Sequence, residues 1–352
     1  MISRPLCLLL LTAWGTLCTG HPAKAQETVI MGFSDINYLA TEKAGREGFY
    51  SGQLIGHIAT SLTDRIAFFG EVSGTAHPEG VNVDIERLIL RYDFADFLKV
   101  SAGRYHTPIS YWNTTYHHGL WLQTSVARPE IIKFGSRFMP VHFMGLLAEG
   151  SLPNSRLGLK YFAGLGNGRD QNIGRPGDQG DINNHRAWLV GLQFRPVSVY
   201  GLRVGGAIYG DRIATGTTAS SDETIYSAHL IWNRLRPEFL AEYMQVVHTP
   251  RLGGDNTTSE GFYLQVGYQL YGLLQDLRPY VRLERLDTPD NDLIFSPLNM
   301  DYEAIVAGIR YDFGTPAALK AEYRRETFAT STRFDSIYLQ VSFTFPNMAA
   351  GF

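Results

Sequence analysis

From Val29 onward the chain alternates apolar and polar residues in runs of about ten, with breaks that tend to be short and long by turns. Runs of this kind begin near Val29, Phe49, Arg65, Val83, Leu98, Val141, Arg156, His185, Leu202, Glu223, Glu238, Gly261, Pro279, Tyr302, Leu319 and Phe334, an even set of about sixteen strands. In the last run Ile337, Leu339, Val341, Phe343 and Phe345 share one face, while Tyr338, Gln340, Ser342 and Thr344 share the other. One face is suited to acyl chains and the other to water, so the pattern predicts an all-β, antiparallel transmembrane barrel. In lipid an unpaired strand edge costs several kcal/mol per group, so the first strand is expected to pair with the last.

The breaks carry a polarity. Thr63-Asp64, Pro153-Asn154-Ser155, Asn233-Arg234-Leu235-Arg236 and Gly314-Thr315-Pro316 read as tight turns, whereas residues 166–184, 214–222, 252–259 and 288–300 read as longer loops. Short turns on the periplasmic side and longer loops outside put both ends of the chain on the periplasmic side. Aromatic pairs near strand ends, such as Tyr92 and Phe94, Tyr268 and Tyr271, Tyr311 and Phe313, and Phe343 and Phe345, are suited to an interfacial girdle.

The longest insertion, His106 to Pro140, follows the fifth strand and contains Trp112, Tyr116, Trp121, Phe134 and Phe138. So many aromatics in a long unrepeated segment predict a loop folded into the lumen rather than a solvated tip. Its charged residues His106, Arg128, Glu130, Lys133 and Arg137 are candidates for a constriction. Taking each strand's apolar face as outward adds Arg87, Arg91, Lys160, Arg203, Arg282, Arg310, Lys320 and Arg324 to the lumen, with Glu71, Glu238, Glu242, Glu284 and Glu322 sharing it. A predominance of arginine lowers the barrier for anions, and opposed acidic and basic rows reinforce the wall. The adjacent His117 and His118, with no carboxylate or cysteine pattern beside them, read as a polar surface, and no metal site is expected. Gly166 to Asp170 with Asp178 and Asp181 reads as a solvated external loop rather than a calcium site.

Composition changes the picture at the N-terminus. Arg4, the apolar stretch Leu6 to Leu17 and Ala23-Lys24-Ala25 read as a cleaved signal peptide over residues 1–25, with a single barrel domain over 26–352. Both cysteines, Cys7 and Cys18, fall inside that segment, so the mature chain has no thiol and no disulfide. Without Arg4 and Lys24 there are 29 basic against 34 acidic residues, a net charge of −5. That balance argues against a nucleic-acid partner. No nucleophile elbow, phosphate loop or zinc-helix motif is present, so no enzyme and no cofactor are expected.

The final strand Ile337 to Phe345 and the terminal Phe352 resemble the C-terminal recognition signal of Gram-negative outer-membrane proteins, with Pro346 to Gly351 read as a short tail between them. Gly103-Arg104-Tyr105-His106-Thr107-Pro108-Ile109-Ser110, ending a strand and opening the long insertion, resembles the same region of the phosphate-selective porin O/P family. The resemblance implies a sixteen-stranded trimeric channel with a constriction loop inside. The basic entrance of that family is rich in lysine; this mature chain has five, Lys43, Lys99, Lys133, Lys160 and Lys320, and phosphate selectivity is not carried over. The expectation is an outer-membrane channel for passive diffusion of small hydrophilic solutes or ions, with a weak anion preference, seated among membrane lipid and lipopolysaccharide as a homotrimer. A channel specific for phosphate or another oxyanion, a lipid-modifying barrel enzyme and a structural barrel are the alternatives.

Overall fold

The computed structural model describes residues 28–45, 47–77, 80–133, 135, 137–169, 173, 184–214, 220–329 and 332–349. The signal segment, Phe134, Asp170, Asp178, Asp181 and Phe352 lie outside the described residues. Sixteen strands close into one barrel. They are β1 Thr28–Thr41, β2 Gly48–Ser61, β3 Ile66–His77, β4 Gly80–Ala95, β5 Leu98–His106, β6 His142–Ser151, β7 Lys160–Asn167 and β8 Arg186–Phe194. The second half runs β9 Leu202–Ala214, β10 Ser220–Asn233, β11 Glu238–Pro250, β12 Thr257–Gly267, β13 Leu277–Asp287, β14 Tyr302–Phe313, β15 Ala317–Phe328 and β16 Arg333–Ala349. Each strand pairs antiparallel with its neighbour in sequence, and β1 pairs with β16, so the predicted seam is closed. No helix among the described residues is long and apolar enough to cross a membrane, which says nothing of strands that do.

The alternation follows from the two solvents. Along β4, Leu88 and Leu90 point outward, half-exposed, while Arg87, Ile89 and Arg91 turn inward. The expected girdle pairs form at the short-turn end: ring centroids lie 4.6 Å apart for Tyr92 and Phe94, 4.8 Å for Tyr311 and Phe313, and 5.7 Å for Phe343 and Phe345.

Several boundaries and one connection differ from expectation; β12, for one, begins at Thr257 rather than Gly261. β7 begins at Lys160 rather than Arg156, because Asn154 and Gly158 take positive φ (57° and 55°) and fold 152–159 into a wider turn. β16 runs through Pro346 to Ala349, so the predicted tail is largely strand. The register shift between Ile30 and Gly32 lies opposite this stretch and accommodates a residue with no N–H to donate. The connections after odd-numbered strands are not all long: only residues 78–79 separate β3 from β4.

The expected long loop, 107–141, lies in the lumen. It opens with a short helix, α1 Tyr111–Tyr116, capped by the Ser110 hydroxyl accepting from Asn113 N. Trp112, Phe138 and Met139 are fully buried, and Trp112 meets Tyr263 of β12 edge to face at 5.6 Å. The loop after β13, read from sequence as one of the longer external loops, also folds inward. Phe295 is fully buried between Phe138 (5.8 Å) and His248 (4.7 Å).

Asp292 holds that second loop down. Its carboxylate accepts from His248 Nδ1 (2.7 Å), Thr257 Oγ1 (2.6 Å) and the amides of Ile294 (2.8 Å) and Phe295 (2.7 Å). Burial alone would raise its pKa, but the His248 and Thr257 bonds prevail and hold it at about 2. A carboxylate depressed in the fold stabilises above its unfolded pKa, and that contribution fades as pH falls from about 4 towards 2. Pepsin digestion across this window is expected to leave residues 288–301 intact at pH 4 and cut them near pH 2. Uniform resistance at both values would show that Asp292 does not anchor the loop.

Candidate functional site

A loop buried in a lumen without regular secondary structure must find partners for its backbone N–H and C=O groups. Here the wall supplies them, acids to the amides and bases to the carbonyls. Glu242 on β11 accepts from Tyr111 N (2.7 Å) and Trp112 N (2.8 Å), and also from Tyr263 Oη (2.8 Å). Glu322 on β15 accepts from Val126 N (2.9 Å), and Glu284 on β13 from Glu130 N (2.6 Å). Glu238 accepts from the Thr124 hydroxyl (2.5 Å). From the basic side, Arg282 donates to Ala127 O (2.9 Å), and Arg310 donates to Trp121 O (2.6 Å) and Gln123 O (2.8 Å). Lys320 donates to Leu120 O and to Ser125 O (3.1 Å).

The charges expected in the lumen therefore divide by task. Arg282, Arg310 and Arg324 face inward but are committed. Arg282 also pairs with Glu284 at 2.8 Å and Arg310 with Asp312 at 2.7 Å, while Arg324 sits among Glu284 (3.0 Å), Glu322 (3.2 Å) and Glu326 (3.2 Å). Arg87 pairs with Glu71, and Arg91 with Asp93 at 2.7 Å. Within the loop, buried Arg128 donates to the carbonyls of His117 and Ile132 (3.2 Å); burial pulls its pKa down to about 9, so it stays charged at neutral pH. Lys133 is exposed and pairs with Glu130 at 3.1 Å. Arg137 is exposed, and its carbonyl accepts from Arg169 Nη1 at 2.5 Å.

Lys160 and Arg203 behave otherwise. Together with Arg195, which the sequence reading did not single out, they stand at the short-turn ends of β7, β8 and β9 on the inward side. Lys160 lies in the field of both arginines, and burial together with Arg203 pulls Arg195 below its usual value. Among the described residues none of the three has a carboxylate within 4.0 Å. The Arg203 guanidinium lies 5.5 Å from the ring centroid of Tyr111, so the cluster sits beneath the first turn of the lumen loop.

Space remains on both sides of the loop. A cavity of about 540 Å³ at the short-turn end is bordered by Phe69, Arg87, Arg91, Tyr105, Thr114 and Glu149. A second, of about 340 Å³ at the opposite end, is bordered by Thr41, Lys43, Lys133, Arg324 and Tyr338.

The histidines are not a polar surface. His106, His117 and His118 are buried, with 5 %, 2 % and 4 % of their surface exposed, and a carboxylate does stand beside them, that of Glu86. Strict alternation would send Glu86 outward next to inward Arg87. A bulge prevents this: Glu71 pairs with Arg87 and Val72 with Ile85, so Glu86 is the extra residue and turns inward. The slip is visible in the sequence as a change of phase, from Val81, Val83 and Ile85 to Leu88, Leu90 and Tyr92 on the outward face.

No family model matches the chain, and no curated protein does. Solved structures do. The anion-selective porin from Comamonas acidovorans aligns at 13% identity over 91% of this chain and 100% of that one, with a TM-score of 0.67. OmpT, an outer membrane protein of Vibrio cholerae in its trimer form, aligns at 12% identity over 92% and 100%, with a TM-score of 0.62. Salmonella typhi OmpF, in complex with daunomycin, aligns at 13% identity over 91% and 97%, with a TM-score of 0.61. At such identities the likeness is one of fold: a closed, sixteen-stranded antiparallel barrel of the outer-membrane porin type.

Proposed function

We propose that the chain is an outer-membrane porin through which small hydrophilic solutes and ions diffuse passively, with a weak preference for anions. The observation that carries the reading is a lumen narrowed by an inward loop with solvent cavities on both of its sides. Export through a cleaved signal peptide, residence in the outer membrane and assembly as a homotrimer belong to the same proposal. The fold shared with porins supports the location and the description of OmpT in a trimer form supports the assembly, while the signal peptide rests on Arg4, Leu6 to Leu17 and Ala23-Lys24-Ala25.

Anion preference rests on Lys160, Arg195 and Arg203. Most other inward bases are matched by acids or spent on loop carbonyls, so their fields are largely cancelled at the distance of a passing ion. Three cations with no carboxylate within 4.0 Å among the described residues, offset in part at Lys160 by the more distant Glu149, leave a net positive potential, felt strongly where water is scarce. Arg87 and Arg91, by contrast, are paired with Glu71 and Asp93. In planar bilayers under a salt gradient, the Lys160→Gln, Arg195→Gln, Arg203→Gln triple variant is expected to move the reversal potential towards cations. An Arg87→Gln variant, leaving Glu71 uncompensated, is expected to do so less. An unchanged potential in the triple variant would remove the anion preference, and the absence of conductance steps from the parent protein would remove the porin reading.

The phosphate-selective alternative draws on the same cluster, which holds one lysine and two arginines. Millimolar phosphate is expected to leave chloride current unblocked; a saturable block would favour the specific channel.

A further inference from the structure

The buried histidines and Glu86 are used neither by the loop clamps nor by the basic cluster. We propose that Glu86, His106, His117 and His118 form a binding site for a divalent transition-metal ion, with zinc as the best match, that fastens the lumen loop to the wall. Each residue offers one donor atom, and the four donors lie within 4.8 Å of one another. Four ligands at the usual zinc distances stand about 3.3 Å apart, so modest side-chain adjustment closes the set.

The hydrogen bonds around the cluster fix which imidazole nitrogen carries the proton. The Asn113 amide donates to Thr107 O (3.1 Å) and Val141 O (2.9 Å), which leaves its Oδ1 to accept from His117 Nδ1 at 2.6 Å. The Gln53 amide donates to Thr75 Oγ1 (3.0 Å), which leaves its Oε1 to accept from His118 Nδ1 at 2.9 Å. In both histidines the Nε2 lone pair is then the coordinating face. For His118 that nitrogen stands 3.1 Å from Glu86 Oε2, a pair that either a proton or a metal ion bridges. Carbonyl oxygens that hold the far nitrogen of an imidazole are the usual outer partners of a metal-ligating histidine.

His106 supplies a second, independent sign. Its side chain is 3 % exposed, yet neither ring nitrogen has a hydrogen-bond partner among the described residues. Its ring stacks on His117 with centroids 3.6 Å apart. The nearest acid to it, Glu71, is at 3.6 Å and is engaged by Arg87 and by His57 at 2.9 Å.

His142 plays a different part. Its Nδ1 accepts from Arg104 Nη2 at 3.1 Å, so its Nε2 carries the proton and faces Glu86 Oε2 at 3.0 Å. With Ser73 Oγ donating to Oε1 at 2.6 Å, it aims the carboxylate and is a positioning residue. Three imidazole nitrogens and one carboxylate oxygen, with no thiol, suit zinc and its first-row neighbours, whereas calcium and magnesium take oxygen. Arg104 at 3.7 Å from Glu86 and Arg128 against the His117 carbonyl border the site and temper its affinity. Glu86 belongs to β4, His106 to β5, and the other two follow α1, so a bound ion cross-links the loop to the wall on a different arc from the Glu242 clamp.

The test is binding, which does not depend on conductance and so fails or succeeds separately from the porin reading. The full chain, made without a histidine tag, is folded in detergent, stripped with chelator and titrated with zinc alone. One equivalent per chain is expected. The double variant His117→Gln, His118→Gln is expected to lose it, with heat-modifiable migration verifying that the barrel is folded. Gln53→Met, which removes no ligand, is expected to weaken binding by about 10–100-fold. A folded parent that takes up no zinc, a folded double variant that keeps its equivalent, or an unweakened Gln53→Met would each overturn the site.

Discussion

Gly103→Val is expected to abolish the folded barrel: the variant should migrate as unfolded chain with or without boiling and give no channels. Gly103 takes φ 150°, a backbone conformation that L side chains rarely adopt, and a Cβ there would lie 1.9 Å from Leu88 O of the neighbouring strand. The close approach cannot be relieved by a side-chain rotation, because what it meets is the β4 backbone itself. Strain and overpacking together place the cost at about 2–6 kcal/mol. The damage falls where β5 must join β4 and β6 before the loop is threaded inward. Gly56→Ala is the control, since a Cβ on Gly56 meets nothing within 4 Å, and it should fold as the parent does. Equal folding yields of Gly103→Val and Gly56→Ala would refute the close packing of β4 on β5.

Glu242→Leu is expected to release the loop without unfolding the barrel. The carboxylate is 3 % exposed and takes two loop amides and the Tyr263 hydroxyl, so leucine leaves three buried donors without acceptors. At about 1–3 kcal/mol each, the loss is roughly 3–9 kcal/mol on a segment whose next hydrogen bonds to the wall are at His118 and Leu120. The helix α1 then leaves the wall, while the interstrand hydrogen bonds that close the cylinder are untouched. Single-channel records should become noisy, with excursions to higher conductance, and the segment near Tyr116 should become sensitive to added protease. Quiet records and a resistant loop would mean that Glu242 is dispensable.

The barrel was legible because lipid and water act on every second residue, and that contrast is local to each strand. The inward loop was legible from its aromatics, which a solvated segment could not bury. What the charges do was less so. Arg310 reaches carbonyls of residues 121 and 123, and Glu242 reaches the amides of 111 and 112, partners more than a hundred positions away that no spacing rule connects. The same holds for the histidines, whose carboxylate arrives from β4 only because one extra residue reverses the facing of that strand. Arg195 escaped notice because it lies just past the end of β8, where alternation has ceased to say which way a side chain points.

The clamps on the lumen loop come from β11, β13, β14 and β15, whereas the larger of the two cavities borders β1 to β6. The space at the short-turn end is thus an off-axis crescent rather than a central bore, and the second cavity reaches Arg324 and Tyr338 of β15 and β16 at the other end. On the proposed porin reading, substitutions facing these two spaces alter traffic, whereas those at the clamps alter the shape of the aperture, so parts of one sheet answer to different demands.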